Sequence, residues 1–351
     1  MHRPSEYRIR AIDQLSRLLG LLASSPKWPG YESGITEEEY SELILLMETH
    51  VHHNGWFTEN NIRKALFAWS AELQYSRVSE WIERYTWEGD GAPKRVGIIC
   101  AGNLPLVGFH DVLSVVLSGH IAYIKLSSDD SLLMPALLKF LIRWDESVGE
   151  QIIFSNGRMN DMQALIATGS NNTSRYFEQY FGHLPHIIRK GRTSVAILDG
   201  NETEEELKAL GRDVFDYFGL GCRNVSKVYL PQGFIIDRLF EALYEYNEIV
   251  NHNKYANNYD YNKAVWLLNM EPLLDNGFLL LKEDKSLASP TGSLYFEHYS
   301  DMALLRQELT ARENEIQCLV SHDDVPFGGS QSPALWDYAD GADTMMFLIS
   351  L

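Results

Sequence analysis

The chain has 351 residues and a formal net charge of −18, with 45% hydrophobic and 22% charged residues. This is the composition of a folded globular protein of about two domains, and it excludes disorder and a small disulfide-stapled scaffold. The acidic excess argues against a nucleic acid or an anionic membrane as partner, because both carry negative charge.

Residues 7–22 place Ile9, Ile12, Leu15, Leu18 and Leu19 on one helix face. Thr36 with Glu39 has the spacing of a capping box, and Thr58 opens a further helix through the Trp-rich stretch to Trp87, whose aromatics read as core. The cluster Gly89-Asp90-Gly91-Ala92-Pro93 marks a boundary. Beyond it, short apolar runs alternate with helical stretches: strand 95–99, helix 109–118, strand 121–126, helix 131–144, strand 151–154, a short helix 161–165, a strand ending at Gly169 and helix 172–181. The same rhythm continues as strand 194–198, helix 203–218, strand 227–230 and helix 234–250. Such alternation predicts an α/β fold with parallel sheets. Residues 251–263, rich in Asn and Tyr, read as an ordered loop or broken helix, and the apolar run 344–349 as a terminal strand. An exposed edge strand is costly, so it is expected either to join a second copy in a homo-oligomer or to be buried in its own sheet.

The expected domains are a helical N-terminal segment (1–90), a cofactor-binding domain (91–190), a catalytic domain carrying Cys222 (191–325) and a C-terminal segment (326–351). Three cysteines at unrelated spacings make no disulfide framework. No apolar run nears the roughly 20 residues of a membrane span, and the first residues lack a signal-peptide core. The expected compartment is the cytoplasm.

Cys100 and Cys318 lie in apolar runs and read as small buried hydrophobes. Cys222 follows Gly219-Leu220-Gly221 and precedes Arg223, a setting for a reactive thiolate or for a structural turn. Asn103, in Ala-Gly-Asn-Leu-Pro after a strand, is either a neutral amide donor for an oxyanion or a turn residue. Thr168-Gly169-Ser170 joins a strand to a helix and suits a phosphate or an ordinary N-cap. No metal site is expected: His50, His52 and His53 sit beside Asn54-Gly55 and read as a solvated turn. A Gly-x-Gly-x-x-Gly fingerprint and the hydrolase Gly-x-Ser-x-Gly are both missing from the sequence.

Taken in order, Gly102-Asn103-Leu104-Pro105, Ile124-Lys125-Leu126-Ser127, Thr168-Gly169-Ser170, Phe218-Gly219-Leu220-Gly221-Cys222 and Pro326-Phe327-Gly328-Gly329 resemble the successive motifs of the aldehyde dehydrogenase superfamily. The helical start, the compact length and Asp337-Tyr338-Ala339-Asp340-Gly341 resemble one branch, the acyl-CoA reductase family typified by the reductase subunit of the bacterial luminescence fatty-acid reductase. The resemblance implies two Rossmann-like parallel-sheet domains. It implies Cys222 as nucleophile and Asn103 as oxyanion donor. It also implies Lys125 at the adenosine ribose, Thr168, Gly169 and Ser170 beside the cofactor pyrophosphate, and Phe327 near the nicotinamide.

Two departures refine this. Aldehyde-oxidising members carry a Glu that activates water in a Glu-Leu-Gly-Gly segment, and Arg189-Lys190-Gly191-Arg192 stands there instead. Loss of that base suits thiol exchange over hydrolysis. NAD-preferring members carry Glu three residues after the lysine, where this chain has Ser128, followed by Asp129 and Asp130. The expected function is reduction of an acyl-CoA or acyl-protein thioester to an aldehyde through acyl-Cys222, with NADPH preferred over NADH and coenzyme A as leaving group. An acyl-protein synthetase is the expected partner. The alternatives are an NAD(P)-dependent aldehyde dehydrogenase and a non-catalytic acyl-transfer or scaffold subunit.

Overall fold

The computed structural model describes residues 3–87, 91–155, 157 and 159–351. It divides into two units, residues 1–190 with 334–351, and residues 191–333. The turn cluster proposed as a boundary at Gly89-Asp90 lies outside the described residues.

The first unit opens with four helices, α1 (Glu6–Ser24), α2 (Glu37–Thr49), α3 (Glu59–Glu72) and α4 (Tyr75–Glu83). Their caps are legible in the sequence. Ser5 accepts from Arg8 N–H, Thr58 accepts from Asn61 N–H, and Thr36 with Glu39 forms a full capping box. The Trp-rich stretch is two helices, and it is core only on one face: Trp81 is fully buried whereas Phe67 is exposed.

Next come β1 (Arg95–Ile99), α5 (Phe109–Leu117), β2 (Ile121–Lys125), α6 (Leu133–Trp144), β3 (Ile152–Phe154), β4 (Ala164–Thr168), α7 (Asn171–Phe181) and β5 (His186–Arg189). The five strands form one parallel sheet in the order β3-β2-β1-β4-β5. This is the doubly wound order, with its switch point between β1 and β4, where ligands of such sheets bind at the carboxyl ends. The four N-terminal helices share one apolar core with this sheet, through Leu15, Leu19, Leu66, Val96, Ile98 and Leu138 among others. Residues 161–165 do not form the expected helix: Asp161 takes a positive φ and Ala164 already begins β4.

The second unit contains β6 (Thr193–Ile197), α8 (Glu204–Phe215), β7 (Val225–Pro231), α9 (Ile236–Leu243), α10 (Asn253–Leu268), β8 (Leu274–Asp275), β9 (Leu280–Glu283), β10 (Ser293–Tyr299), α11 (Met302–Ala311) and β11 (Ile316–Val320). Its sheet runs β11-β6-β7-β10-β9-β8, parallel except for the antiparallel edge strand β8. Of the two readings of residues 251–263, the broken helix holds: a 3-10 helix ends at Asn251, His252 is extended, and α10 begins at Asn253. The helix α10 forms because Tyr255, Tyr259, Asn262 and Trp266 line one buried face.

The C-terminal run is corrected. It is a helix, α12 (Thr344–Ile349), capped by Asp343 and not a strand. Met345 and Leu348 are buried in the first unit's own core. The argument for a homo-oligomer through a terminal strand therefore falls. Residues 326–333, grouped with the C-terminal segment from the sequence, pack in the second unit.

Candidate functional site

The carboxyl edge of the first sheet gathers six of the sequence-predicted residues into consecutive loops. The loop after β1 is shaped by two glycines and a strained leucine. A Cβ on Gly102 would lie 2.4 Å from Ser127 Oγ, and one on Gly108, which has φ +88°, would lie 2.5 Å from Cys100 Sγ. Leu106 has φ 63°, and its N–H donates to Asp130 Oδ2 at 2.7 Å. Asn54, buried in the turn before α3, donates from Nδ2 to the Gly102 carbonyl at 3.2 Å. This loop carries Asn103, which is exposed.

Lys125 ends β2 and is exposed, as are Ser128 and Asp129 just beyond it. Asp130 is turned inward and buried, and desolvation raises its carboxyl pKa to about 6. Thr168 ends β4. Ser170 caps α7 by accepting from Thr173 N–H, and its hydroxyl also meets Thr173 Oγ1 at 2.9 Å. Gly169 permits the close strand-to-helix packing: a Cβ there would sit 3.1 Å from Thr173 Cβ.

Arg189 has a structural role at the end of β5. It is buried, grips both carboxylate oxygens of Asp111 at 2.7 and 2.8 Å, and reaches Thr344 Oγ1 at 2.9 Å.

The second unit holds Cys222 and Phe327. The chain leaves α8 through Tyr217 and Phe218, both left-handed at φ 53° and 59°, then Gly219 at φ 74°. Consecutive non-glycine residues in this region cost on the order of 1–3 kcal/mol each and persist only where the surroundings impose them. Here Asn224 imposes them. Its buried amide donates to the carbonyls of Asp213 (3.0 Å) and Asp216 (2.9 Å), and its Oδ1 accepts from Gly221 N–H at 2.8 Å. Cys222 is exposed on the turn so formed, three residues before β7, and its carbonyl accepts from Ser194 Oγ at 2.9 Å.

Of the other thiols, Cys100 is buried, and burial raises its pKa. Cys318 is half-buried beside Ser194 Oγ at 3.0 Å, so it is less enclosed than its apolar run suggests. Phe327 lies on a loop whose amides bind Asp213, and its ring meets that of His322 edge-on at 5.4 Å.

Two groups of residues contain histidines. His50 is not in a solvated turn: it is buried and stacks on Phe57 at 5.2 Å, while His52 and His53 are exposed. Asp199, Glu202 and His322 do come together in the second unit. Each is already engaged: Glu202 accepts from the Asp199 and Gly200 amides, and His322 bridges Asp199 and Glu206.

Sequence reasoning missed Asn54, Asp213, Ser194 and Asn224, which hold these loops, and placed Asp130 only beside the ribose position, not as the acceptor for Leu106 N–H. Only Asn224 gave a signal, through its place two residues after Cys222.

Residues 86–243 match the family model Acyl-CoA reductase (LuxC). The long-chain acyl-protein thioester reductase of Aliivibrio fischeri is 26% identical over 243 residues, which cover 62% of this chain and 49% of that protein. The chain thus spans about half the length of the curated relatives it matches. Aldehyde dehydrogenase 21 of Physcomitrella patens superposes with a TM-score of 0.66 at 12% identity, covering 99% of this chain and 84% of that one. An indole-3-acetaldehyde dehydrogenase of P. syringae, solved with NAD+, gives 0.60 at 13% identity, covering 89% and 71%. The fold is that of the aldehyde dehydrogenases, as the motifs implied, and residues 86–243 are similar to the acyl-CoA reductase family.

Proposed function

We propose that this chain reduces an acyl thioester to an aldehyde through a covalent acyl-Cys222 intermediate. The observation that carries the reading is the exposed Cys222 on a strained, over-determined turn in a fold of the aldehyde dehydrogenase kind. The sequence match to acyl-CoA reductases supports a thioester as substrate.

In this reading the Cys222 thiolate attacks the acyl carbonyl carbon, and the donor's thiolate departs from the tetrahedral adduct to leave acyl-Cys222. By resemblance, the Asn103 amide and the Cys222 N–H stabilise the oxyanion. A nicotinamide cofactor, when bound, would supply a hydride to the acyl carbonyl carbon. The oxyanion so formed on the Cys222 adduct re-forms its C=O bond as the C–S bond breaks, which releases the aldehyde and returns the electron pair to the Cys222 thiolate.

The residues at the carboxyl edge of the first sheet fit a dinucleotide. Close backbone packing at Gly102 and Gly169 leaves no room for a Cβ without displacing neighbours, and Lys125, Ser128, Thr168 and Ser170 offer a cation and hydroxyls on neighbouring loops. Lys125 and Ser128 would hold the adenosine ribose, Thr168, Gly169 and Ser170 the pyrophosphate, and Phe327 the nicotinamide end. Ser128 in place of a carboxylate favours NADPH over NADH.

The donor is an acyl-CoA or an acyl-protein, the latter favoured by the name of the A. fischeri relative, and an acyl-protein synthetase is the matching partner. Among the described residues no helix is long and apolar enough to cross a membrane. Incubation with acyl-CoAs of graded length and NADPH, followed at 340 nm, tests the reading: loss of absorbance with aldehyde formation supports it. Acyl hydrolysis or aldehyde oxidation without reduction of acyl-CoA would favour an aldehyde dehydrogenase, and no dinucleotide binding at all would favour a scaffold.

A further inference from the structure

The last turn of α8 holds a carboxylate in an unfavourable place. Asp213 is fully buried and sits near the negative end of the helix dipole, where an acidic group is disfavoured. Burial also raises its pKa. Both carboxylate oxygens are used: Oδ2 accepts from Gly328 N–H at 2.6 Å, and Oδ1 from Ser330 N–H at 2.9 Å. The backbone at Gly328 favours glycine. It has φ +80°, and a Cβ would lie 2.4 Å from Arg212 Nη2. The loop Pro326-Phe327-Gly328-Gly329-Ser330 is therefore docked on the end of α8 by its backbone.

The same helix end also holds the thiol turn. The Asp213 carbonyl accepts from Asn224 Nδ2, whose Oδ1 receives Gly221 N–H. The two segments are then joined directly, because Arg223 Nε donates to the Ser330 carbonyl at 2.6 Å. The bonds close a ring from Asp213 to Ser330, to Arg223, through Asn224 and back to Asp213. Cys222 adjoins this ring, between Arg223 and Gly221, whose N–H is bonded to Asn224 Oδ1.

We infer that Asp213 is a positioning residue that fixes the Cys222 turn and the Phe327 loop relative to each other. It acts through backbone amides and touches neither substrate nor cofactor. The inference rests on the reading of Cys222 as nucleophile for its effect on turnover, but its effect on the two segments is independent of that reading. A misplacement of about 1 Å in such a constellation costs about a hundredfold in rate.

Asp213→Asn tests this, since an amide nitrogen cannot accept one of the two N–H groups while size is kept. In the full chain, amide hydrogen exchange should quicken in residues 219–224 and 326–332 together. The rate of Cys222 alkylation by iodoacetamide should change, and kcat for acyl-CoA reduction should fall at least about tenfold with the acyl-CoA KM little altered. Arg223→Lys, which removes the Nε bond and leaves the buried carboxylate alone, should produce the same pattern more weakly. It also serves as the test if Asp213→Asn does not fold. Exchange that quickens only in 326–332, with Cys222 alkylation unchanged, would overturn the inference. Coupled exchange and altered alkylation in a protein that reduces no acyl-CoA would leave Asp213 in this role and remove the proposed function instead.

Discussion

Arg189 and Asp111 form a buried, two-pronged ion pair at 2.7 and 2.8 Å. By the motif resemblance, Arg189 falls at the start of the segment that carries the catalytic base in aldehyde-oxidising enzymes. Its guanidinium is spent on joining β5 to α5 and, through Thr344, to α12. The pair predicts that Arg189→Glu will not create a hydrolase. It places a second carboxylate against Asp111 in a dry site, and the expected result is loss of folded protein. Asp111→Ala should cost about 3–5 kcal/mol, since it strands a buried charge. The double variant Arg189→Met/Asp111→Leu should recover much of that in thermal melts. A well-folded Arg189→Glu variant that hydrolyses acyl groups would contradict this.

Asp130 gives the fold a pH dependence of definite sign. Its folded pKa is raised to about 6 from 3.8, so between those values the native state holds the proton more tightly than the unfolded chain. Its contribution is present below about pH 4 and lost as pH rises through about 6. Asp130→Asn retains an acceptor for Leu106 N–H and removes the buried charge. It should melt above wild type at pH 8, by at most about 3 kcal/mol in stability, and the gap should close by pH 4. A gap that widens toward low pH would refute the assignment.

The sequence leaves two carboxylates, Asp129 and Asp130, to oppose NADPH. The structure removes one: Asp130 is buried and bonded to Leu106, and only Asp129 is exposed beside Ser128. Ser128→Glu should weaken NADPH binding by about one to two orders of magnitude and spare NADH, as read by fluorescence titration. Tighter binding of NADH by the wild type would make Asp129 the ribose contact.

Asn103 is exposed on a loop held by Asn54, Gly102 and Asp130. Asn103→Ala should lower turnover by on the order of 10²-fold with cofactor affinity nearly unchanged. An equal loss in cofactor binding would mark Asn103 as a turn residue.

What was legible in the sequence was local. Thr36 with Glu39 and the strand-helix alternation are short-range signals, and the structure follows them. The helix α10 was also legible in principle, because Tyr255, Tyr259, Asn262 and Trp266 recur at helical spacing within a composition that suggests a loop. At the C-terminus, Asp343 capping Met346 N–H and the buried Met345 and Leu348 at i, i+3 carried the helical signal that overall apolarity masked. Asp130 and Asp213 were not legible. Each is an acidic residue whose partners are backbone amides far along the chain, at Leu106 and at Gly328 and Ser330, and nothing in the local pattern marks a carboxylate as buried. The residues named from motifs stand out in the sequence, and the residues that hold their loops do not.

Acylation of Cys222 can be read by intact-mass spectrometry after mixing the full chain with a long-chain acyl-CoA in the absence of cofactor. The wild type should gain one acyl group, mapped to Cys222 and discharged on addition of NADPH. The same adduct should form in Cys100→Ala and Cys318→Ala, and none in a folded Cys222→Ala. An acyl adduct of equal yield in Cys222→Ala would contradict acylation of Cys222.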